Sequence, residues 1–286
     1  MYGRILKNQN GYFSICGETG TISLCRSRGR LKRETEILVG DFVEYEPDAG
    51  SEAAITRVFP RKNRLVRPPV SNIDTLVLTV AIRTPDLSLY VLDTMLLLAE
   101  DAEISPIVCI NKCDLDFEAA EKVAALYRRI GYPTFCTSTE TGVGITELET
   151  ALAKGVIAFS GPSGVGKSSL LNRLLGREIC TAGSVSEKTG RGKNTTRHAE
   201  LLAHEDAFFM DTPGYTSLSV DSVNPENVAY LFKEFRSFVG TCRFRNCCHL
   251  QEPDCQIREA VENGNVARSR YESYCKILKE KKEKLL

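Results

Sequence analysis

Short alternating runs of apolar and polar residues fill about the first sixty residues of the chain. Turn residues separate the runs at 10–11 (N-G) and 18–20 (E-T-G), and both favour hairpins. The alternation predicts five strands: Tyr2–Lys7, Gly11–Cys16, Thr21–Arg26, Asp41–Glu46 and Ala54–Phe59. Five short strands in so short a segment are typical of a small closed barrel such as the OB-fold.

The pattern changes after a segment with two consecutive prolines, residues 60–69, which reads as a linker. Ile73–Ile82 is mostly apolar, as expected of a buried parallel strand. The elements predicted after it are helices at Tyr90–Glu100, 118–130 and 145–153, and strands at Ile104–Ile110, Thr134–Thr137, Val156–Ser160 and Ala207–Met210. Such alternation predicts a doubly wound, mostly parallel α/β sheet with helices on both faces and sites at the carboxyl ends of its strands.

The last part of the chain is predicted to be helical around a cysteine-rich loop. One helix is expected at about 225–237, and a second begins near 256 and ends in the basic stretch 276–284, which we interpret as a solvated face. We therefore expect a multidomain α/β protein with three parts: an OB-fold barrel and linker (1–67), an α/β domain (68–221) and a helical domain (222–286).

Charge and composition add hints about partners and compartment. The formal net charge is zero, but residues 1–67 carry 12 basic against 8 acidic residues and 242–286 carry 10 against 7. Basic ends suit an anionic partner, although on charge alone ordinary surface variation is the favoured explanation. The basic loop 26–33 could bind phosphates or be a solvated loop. We expect a cytoplasmic protein with reduced cysteines and no membrane association, since no apolar run approaches the ~20 residues of a spanning helix.

Three nucleotide-binding motifs occur in an unusual order. N-K-x-D stands at 111–114, G-x-x-x-x-G-K-S at 161–168 and D-x-x-G at 211–214. In an ordinary GTPase the phosphate loop comes first, D-x-x-G second and N-K-x-D third. The order here indicates a circularly permuted P-loop GTPase domain.

The phosphate loop follows a predicted strand and opens a helix, which is the context its chemistry needs. Its glycines allow backbone N–H groups to surround phosphate oxygens. We expect Lys167 to reach the β- and γ-phosphates and the Ser168 hydroxyl to bind the Mg²⁺ that accompanies GTP. The predicted phosphate-binding residues are Gly161, Pro162, Ser163, Gly164, Val165, Gly166, Lys167, Ser168 and Ser169.

Base recognition is expected from the N-K-x-D motif. The Asp114 carboxylate can accept hydrogen bonds from the ring N–H and amino group of guanine, whereas adenine presents an acceptor there. Asn111, Lys112 and Cys113 complete the loop, and Ser138 follows the next strand, where it can close the base pocket.

The γ-phosphate side is expected to use Asp211 for Mg²⁺ and the Gly214 backbone N–H as a sensor. Thr195 and Thr196 lie in a basic, glycine-containing segment, and either could be the switch ligand. Tyr215 stands where a Ras-like enzyme has a water-orienting Gln. We therefore expect slow basal hydrolysis, at or below ~10⁻⁴ s⁻¹.

A Cys-x₄-Cys-x-His-x₅-Cys cluster predicts one structural Zn²⁺ with no open coordination position. The predicted ligands are Cys242, Cys247, His249 and Cys255. Cys248 could replace Cys247, but residues two apart in an extended segment point the same way, which favours Cys247 with His249.

Taken together, the barrel, the motifs N-K-C-D, G-P-S-G-V-G-K-S-S and D-T-P-G-Y in that order, and the cysteine cluster resemble the RsgA-type family of small-subunit-dependent GTPases. The resemblance covers essentially the whole chain. It implies a role in late maturation of the small (30S) ribosomal subunit, contact with 16S rRNA, and GTP hydrolysis stimulated by the subunit. The family usually has a His directly before the switch threonines, and that His is proposed to assist hydrolysis. Here the residue is Asn194. Whether His198, four residues further on, takes over this role is left open by the sequence.

We therefore expect a monomeric GTP hydrolase that binds GTP and GDP. One alternative is a nucleotide-gated RNA-binding module with negligible catalysis, which Asn194 and Tyr215 would allow. The other is an ATP-dependent kinase with the same phosphate loop, against which the motif at 111–114 argues.

Overall fold

The computed structural model describes residues 1–28, 31, 35–46, 53–65, 69–177, 200–211 and 220–283. The chain forms two compact units, and each brings together distant parts of the sequence. The first unit comprises residues 1–77, 146–163 and 167–215, and the second comprises 78–145, 164–166 and 216–286.

The N-terminal strands close into the predicted barrel. They are β1 (Tyr2–Gln9), β2 (Tyr12–Gly17), β3 (Ile22–Ser27), β4 (Phe42–Glu46) and β5 (Ala53–Val58). Their order around the barrel is β1-β2-β3-β5-β4, and antiparallel pairing of β1 with β4 closes it. Alternate residues point inward, so that Ile5, Ile15, Val43 and Ile55 have no exposed surface. This confirms the predicted OB-like barrel.

The predicted linker is partly ordered as a short antiparallel ribbon of β6 (Arg64–Leu65) and β7 (Val70–Ser71). Leu65 and Val70 are buried, and this burial stabilises the ribbon. The ribbon is attached to Asp41, whose buried carboxylate accepts hydrogen bonds from the Ser71 hydroxyl (2.6 Å) and from Arg61 Nε (2.7 Å). The segment interpreted as a linker therefore contributes one strand, β6, to an ordered ribbon.

A six-stranded sheet follows the barrel, with the order β10-β9-β8-β11-β13-β12. Its strands are β8 (Thr75–Ala81), β9 (Ser105–Asn111), β10 (Thr134–Cys136), β11 (Lys154–Ser160), β12 (Leu202–His204) and β13 (Asp206–Asp211). The helices between them are α1 (Leu89–Asp101), α2 (Phe117–Ile130), α3 (Ile145–Ala151) and α4 (Lys167–Leu175). The β9–β10 and β11–β13 pairs are parallel, whereas the unpredicted β12 is an antiparallel edge strand. The predicted α/β sheet with helices is confirmed, and the antiparallel strand β12 makes the sheet mixed.

The C-terminal helices are shorter and more broken than predicted. The expected helix at 225–237 consists of two 3₁₀ turns, Pro225–Asn227 and Lys233–Phe235, on either side of α5 (Val228–Leu231). An extended Phe232 interrupts them (φ −86°, ψ 105°) and is buried against Phe235, with ring centroids 5.0 Å apart. Burial of both rings outweighs the loss of helical hydrogen bonds.

The second expected helix is divided into α6 (Gln256–Glu262) and α7 (Arg268–Glu283), separated by a turn at Gly264 with φ +75°. The basic end of α7 is not simply a solvated face. Lys281 is only 5% exposed, and its ammonium group donates to the carbonyl oxygens of Val220 (2.5 Å) and Asp221 (3.4 Å).

A buried ionic network joins α7 to the helices of the second unit. The Arg270 guanidinium, 1% exposed, donates to Asp93 Oδ1 (2.7 Å) and to Glu234 Oε1 (2.6 Å). The Tyr127 hydroxyl donates to the same Asp93 oxygen at 2.7 Å. Because a buried guanidinium needs paired acceptors, this network fixes α7 against α1 and α2.

Candidate nucleotide site and metal centre

The predicted phosphate loop connects β11 to α4, as the sequence motif requires. Gly161, Gly164 and Gly166 have φ values of 151°, 80° and 93°, which favour glycine. The Lys167 ammonium folds over the first part of the loop and donates to the carbonyl oxygens of Gly161 (2.9 Å) and Pro162 (2.8 Å). The loop therefore has the curled backbone and the nearby cation that a phosphate site needs.

The N-K-x-D motif contacts the phosphate loop directly. Asn111 is the last residue of β9, and its buried Nδ2 donates to the Val165 carbonyl oxygen at 2.9 Å. Lys112 has a left-handed backbone (φ 57°), and its ammonium donates to the Gly164 carbonyl oxygen at 2.8 Å. The Asn111 and Lys112 side chains thus brace the two loops against each other.

This bracing leaves no space for a side chain at Gly166. A Cβ atom there would lie 2.4 Å from Asn111 Nδ2. The position has φ +93° as well, so both the packing and the backbone require glycine. The close approach of the Asn111 side chain to the Gly166 backbone fits a phosphate site that is lined by backbone groups.

The third and fourth residues of the motif, Cys113 and Asp114, differ in exposure. Both lie in a 3₁₀ turn, Cys113–Leu115, where Asp114 is exposed and Cys113 is fully buried. Burial and the nearby Asp114 carboxylate raise the pKa of the Cys113 thiol. The Asp114 carboxylate is therefore the group that can meet a base, whereas the Cys113 side chain packs inside.

Ser138 belongs to the turn that follows β10. It is fully buried, and its hydroxyl oxygen accepts from the Thr141 N–H at 3.1 Å. The preceding Thr137 donates through its hydroxyl to Asn111 Oδ1 (3.1 Å), while its carbonyl oxygen accepts from the Cys113 N–H (3.0 Å). The structure thus joins the Thr137–Ser138 turn to the N-K-x-D loop; the role of Thr137 as the partner of Asn111 was not predicted.

The remaining loop residues differ in exposure. Ser163 is exposed, whereas Ser168 and Ser169, in the first turn of α4, are partly buried.

Most of the predicted switch residues lie outside the described part of the chain. Thr195, Thr196 and Gly214 are among them, as are Asn194, His198 and Tyr215. Asp211 is the last residue of β13, and its backbone pairs with Phe159 of the parallel strand β11. Their roles stay predictions.

The four predicted metal ligands come together in one cluster. The ligand atoms of Cys242, Cys247, His249 and Cys255 all lie within 4.8 Å of one another. His249 Nδ1 is 3.4 Å from both Cys242 Sγ and Cys255 Sγ, and these sulfurs are 4.0 Å apart. Zn–S and Zn–N bonds of ordinary length in a tetrahedron give edges of about 3.8 Å and about 3.5 Å. The cluster therefore has the size and donor set of a tetrahedral metal site.

Of the two neighbouring cysteines, Cys247 belongs to the cluster. Cys248 is not part of the cluster; its Sγ lies 3.9 Å from the Asn246 carbonyl oxygen. Burial lowers the pKa of His249, which favours the neutral imidazole that a metal needs.

A carboxylate and two tyrosines that were not predicted hold the metal loop in place. The Glu252 carboxylate accepts from the N–H groups of Cys248 and Leu250, each at 2.9 Å. Burial opposes its ionisation, but the backbone N–H donors nevertheless lower the pKa of Glu252 to about 2. Tyr271 donates to the His249 carbonyl oxygen (2.7 Å), and Tyr274 donates to that of Cys248 (2.8 Å). The only sequence signal for the two tyrosines is their aromatic spacing on a helix next to the cysteine-rich loop.

Among the helices that the structure describes, none is long and apolar enough to cross a membrane.

Two family models match the chain. The RsgA N-terminal domain matches residues 2–55, and the RsgA GTPase matches residues 58–221. A protein of Caldanaerobacter subterraneus subsp. tengcongensis, named small ribosomal subunit biogenesis GTPase RsgA, is 42% identical over 285 residues. That alignment covers 99% of this chain and 96% of the relative.

Solved structures give the same result. The crystal structure of YjeQ from Thermotoga maritima superposes with a TM-score of 0.86 and 36% identity, covering 98% of each chain. That of YloQ, described as a circularly permuted GTPase, has a TM-score of 0.83 and 31% identity over 99% of this chain and 95% of that one. These findings confirm the resemblance seen in the motifs. The chain belongs to the RsgA GTPase family.

Proposed function

We propose that this chain is a GTP hydrolase that binds the small (30S) ribosomal subunit, acts in its late maturation, and is stimulated by it. The observation that carries the nucleotide part is the bracing of the two loops. Asn111 and Lys112 donate to the carbonyl oxygens of Val165 and Gly164, so the base-recognition loop has a fixed position relative to the phosphate loop. Fixed loops select one nucleotide geometry without an ordering cost at binding.

Guanine selectivity rests on Asp114. Its carboxylate is exposed at the turn beside this braced pair, where it can accept both guanine donors. An adenine base would leave the carboxylate facing a ring acceptor, and an unpaired polar group of this kind is costly. GTP and GDP, rather than ATP, are therefore the expected ligands.

The phosphate loop has the composition and backbone for a triphosphate with Mg²⁺. Lys167 would lie against the β- and γ-phosphates, and the Ser168 hydroxyl and Asp211 carboxylate would hold Mg²⁺. The metal would neutralise phosphate charge during hydrolysis. Thr195 or Thr196 and the Gly214 N–H would complete the γ-phosphate side. Water is the nucleophile.

The cysteine cluster would hold one structural Zn²⁺. Three thiolates and one imidazole fill a tetrahedral shell and leave no position for a substrate. The metal would therefore stabilise the loop at 242–255, which Glu252 and the tyrosines of α7 already hold.

The ribosomal part of the proposal comes from the relatives, whose curated names are small ribosomal subunit biogenesis GTPase. Basic residues at both ends of the sequence suit 16S rRNA, because phosphate contacts by Lys and Arg dominate nucleic-acid affinity. We assign rRNA contact to the barrel part (1–67) and the metal-binding helical part (222–286), and nucleotide turnover to 68–221. A cytoplasmic monomer is expected.

Readout of the nucleotide state would pass through the residues that follow D-x-x-G. Val220 is buried in the same core as Phe232, Phe235 and Tyr274. Lys281 of α7 donates to the Val220 carbonyl oxygen. A movement of the γ-phosphate sensor would therefore be transmitted to the helix that also holds the metal loop.

Co-sedimentation tests the assignment of the partner. Purified small and large ribosomal subunits are each mixed with the chain and either a non-hydrolysable GTP analogue or GDP. We expect binding to the small subunit that is stronger with the analogue, and little binding to the large subunit. Equal binding to both subunits would reject the assignment.

A further inference from the structure

The tip of the metal loop, residues 243–246, exposes a large aromatic side chain. Phe244 is 45% exposed. Phe232 and Phe235, in the neighbouring core, are buried. An isolated exposed Phe is ordinary, but this one lies between two basic residues and two metal-cluster cysteines.

The tip holds Phe244 in a defined position. The Phe244 carbonyl oxygen accepts from the Cys247 N–H at 3.2 Å, and the Arg243 N–H donates to the Asp254 carbonyl oxygen at 3.5 Å. Arg243 Nη1 also forms an ion pair with the Asp254 carboxylate at 2.7 Å. Cys242 and Cys247, at either end of the tip, both belong to the cluster. Because the backbone of this turn is already braced, binding would order only the Phe244 side chain.

The charge around the ring is positive. The Arg243 guanidinium carbon lies 5.7 Å from the Phe244 ring centroid. Arg245 is exposed and has no ion-pair partner among the residues that the structure describes. Of the nearby carboxylates, Asp254 pairs with Arg243, and Glu252 accepts backbone N–H groups. An exposed ring that is followed in the sequence by an exposed arginine without an ion-pair partner matches the two parts of a nucleotide, a base and a phosphate.

We propose that Phe244 stacks on an unpaired base of the RNA of the small subunit while Arg245 contacts an adjacent phosphate. This inference rests on the proposed function, since it names the contact through which the metal-binding part holds RNA. An apolar pocket on a ribosomal protein is the rival partner. It is disfavoured because it would bury the unpaired Arg245 charge.

Three substitutions at Phe244 separate stacking from simple apolar contact. Loss of one stacked base is worth about 1–3 kcal/mol, or roughly 5- to 150-fold in affinity. Phe244→Ala is expected to weaken binding to purified small subunits by this factor. Phe244→Leu is expected to be similarly weak because it lacks a π face, whereas Phe244→Trp is expected to bind at least as well as the original chain. Phe117→Ala removes a 55% exposed Phe from α2 and should change affinity less than twofold.

The chain has no tryptophan and ten tyrosines, so Phe244→Trp also introduces a single tryptophan, whose emission can be excited apart from that of the tyrosines. Quenching of its emission by purified small subunits is expected if a base stacks on the ring. The bound zinc content of every variant is measured first, to show that the metal loop is intact.

The outcomes separate the inference from its premise. If the original chain binds small subunits but Phe244→Ala binds within twofold of it, or Phe244→Leu restores affinity while Phe244→Trp does not, stacking is rejected and the proposed function stands. Absence of quenching in a Phe244→Trp protein that binds also rejects it. If the original chain does not bind small subunits at all, both the proposed function and this inference are rejected.

Discussion

At the scale of single residues, the nucleotide site depends on the contact between Asn111 and Gly166. A Cβ atom at position 166 would meet Asn111 Nδ2 at 2.4 Å, so Gly166→Ala must displace one of the two loops. We expect GTP affinity to fall roughly 5- to 150-fold, because one lost loop contact is worth about 1–3 kcal/mol. Isothermal titration with GTP measures it.

Gly176→Ala is the matched control for that variant. Gly176 also has a positive φ (+63°), but a Cβ atom there meets nothing within 4 Å. It is expected to lose about 1 kcal/mol of stability from backbone strain and to keep its GTP affinity. Equal GTP affinities for the two variants would contradict the loop-bracing argument.

Asp114 carries the second prediction at this scale. Asp114→Asn removes a charged acceptor that takes two guanine hydrogen bonds, each worth about 1.5–3 kcal/mol. We expect GTP affinity to fall about 100-fold or more and the preference for GTP over ATP to collapse. Competition binding with both nucleotides measures this. Glu118→Gln, an exposed carboxylate in the same segment, is the control and should preserve the preference. An Asp114→Asn protein that still preferred GTP would overturn the assignment.

Sequence alone predicts functional residues well where the chemistry of the site constrains the spacing between them. The cysteine cluster is an example, because the structure brings Cys247 and His249 together as predicted, although His249 has a left-handed backbone (φ 57°) and not the expected extended one. The roles of Glu252 and Thr137 could not be predicted in this way. Their partners are backbone N–H groups and an amide that lie in no recognisable motif, so only the folded loop reveals them.

At the scale of elements, Lys281 fixes the end of α7. Its buried ammonium donates to the carbonyl oxygens of Val220 and Asp221. Lys281→Met leaves these carbonyls without that donor, and we expect the free energy of unfolding to fall by about 1–3 kcal/mol. Urea unfolding measures the change. Arg268→Met, which removes an exposed cation from the same helix, should change stability by less than about 0.5 kcal/mol. Similar values for the two variants would show that the buried contact is unimportant.

Asp74 links the start of β8 to β11 and makes a prediction about pH. Its carboxylate accepts from the Val156 N–H at 2.7 Å and pairs with Lys62. Burial raises the pKa of Asp74, but the Lys62 and Val156 contacts outweigh it, so that the net pKa lies below the usual 3.8. Asp74→Asn keeps an acceptor for Val156 and loses the charge.

A carboxyl group with a lowered pKa stabilises the fold above its unfolded pKa, and this contribution is lost as pH falls through the folded pKa. The original chain should therefore be more stable than Asp74→Asn at pH 7, by about 1 kcal/mol or less because the pair is partly exposed. The difference should disappear as pH falls below 3.8. Chemical unfolding of both proteins from pH 7 to 3 measures it; a difference independent of pH would contradict the account.

Elements are predictable here when local periodicity and burial agree. The barrel strands and the helix at 117–130 lie close to their expected bounds. The segment 225–237 does not, because burial of Phe232 and Phe235 interrupts a helix that local propensity favours. The edge strand β12 has only three residues, too few for any alternation to be visible.

At the scale of the whole molecule, permutation changes the order in which the chain connects the nucleotide loops rather than the loops themselves. N-K-x-D and the phosphate loop, about fifty residues apart and in reversed order, still meet at Asn111 and Val165. D-x-x-G now leads into the part of the chain that holds the metal cluster. The motif order alone was enough to predict this architecture, because each motif marks the end of one strand. The switch chemistry was less predictable, since Asn194 and Tyr215 depart from the usual pattern.

The central claim is that this chain hydrolyses GTP in response to the small ribosomal subunit. The most direct test is the rate of GTP turnover at low salt, measured with and without purified small subunits, with large subunits as the control. The account predicts basal turnover at or below ~10⁻⁴ s⁻¹ and clear stimulation by the small subunit alone. Turnover that small subunits leave unchanged, although they bind the chain, would contradict it.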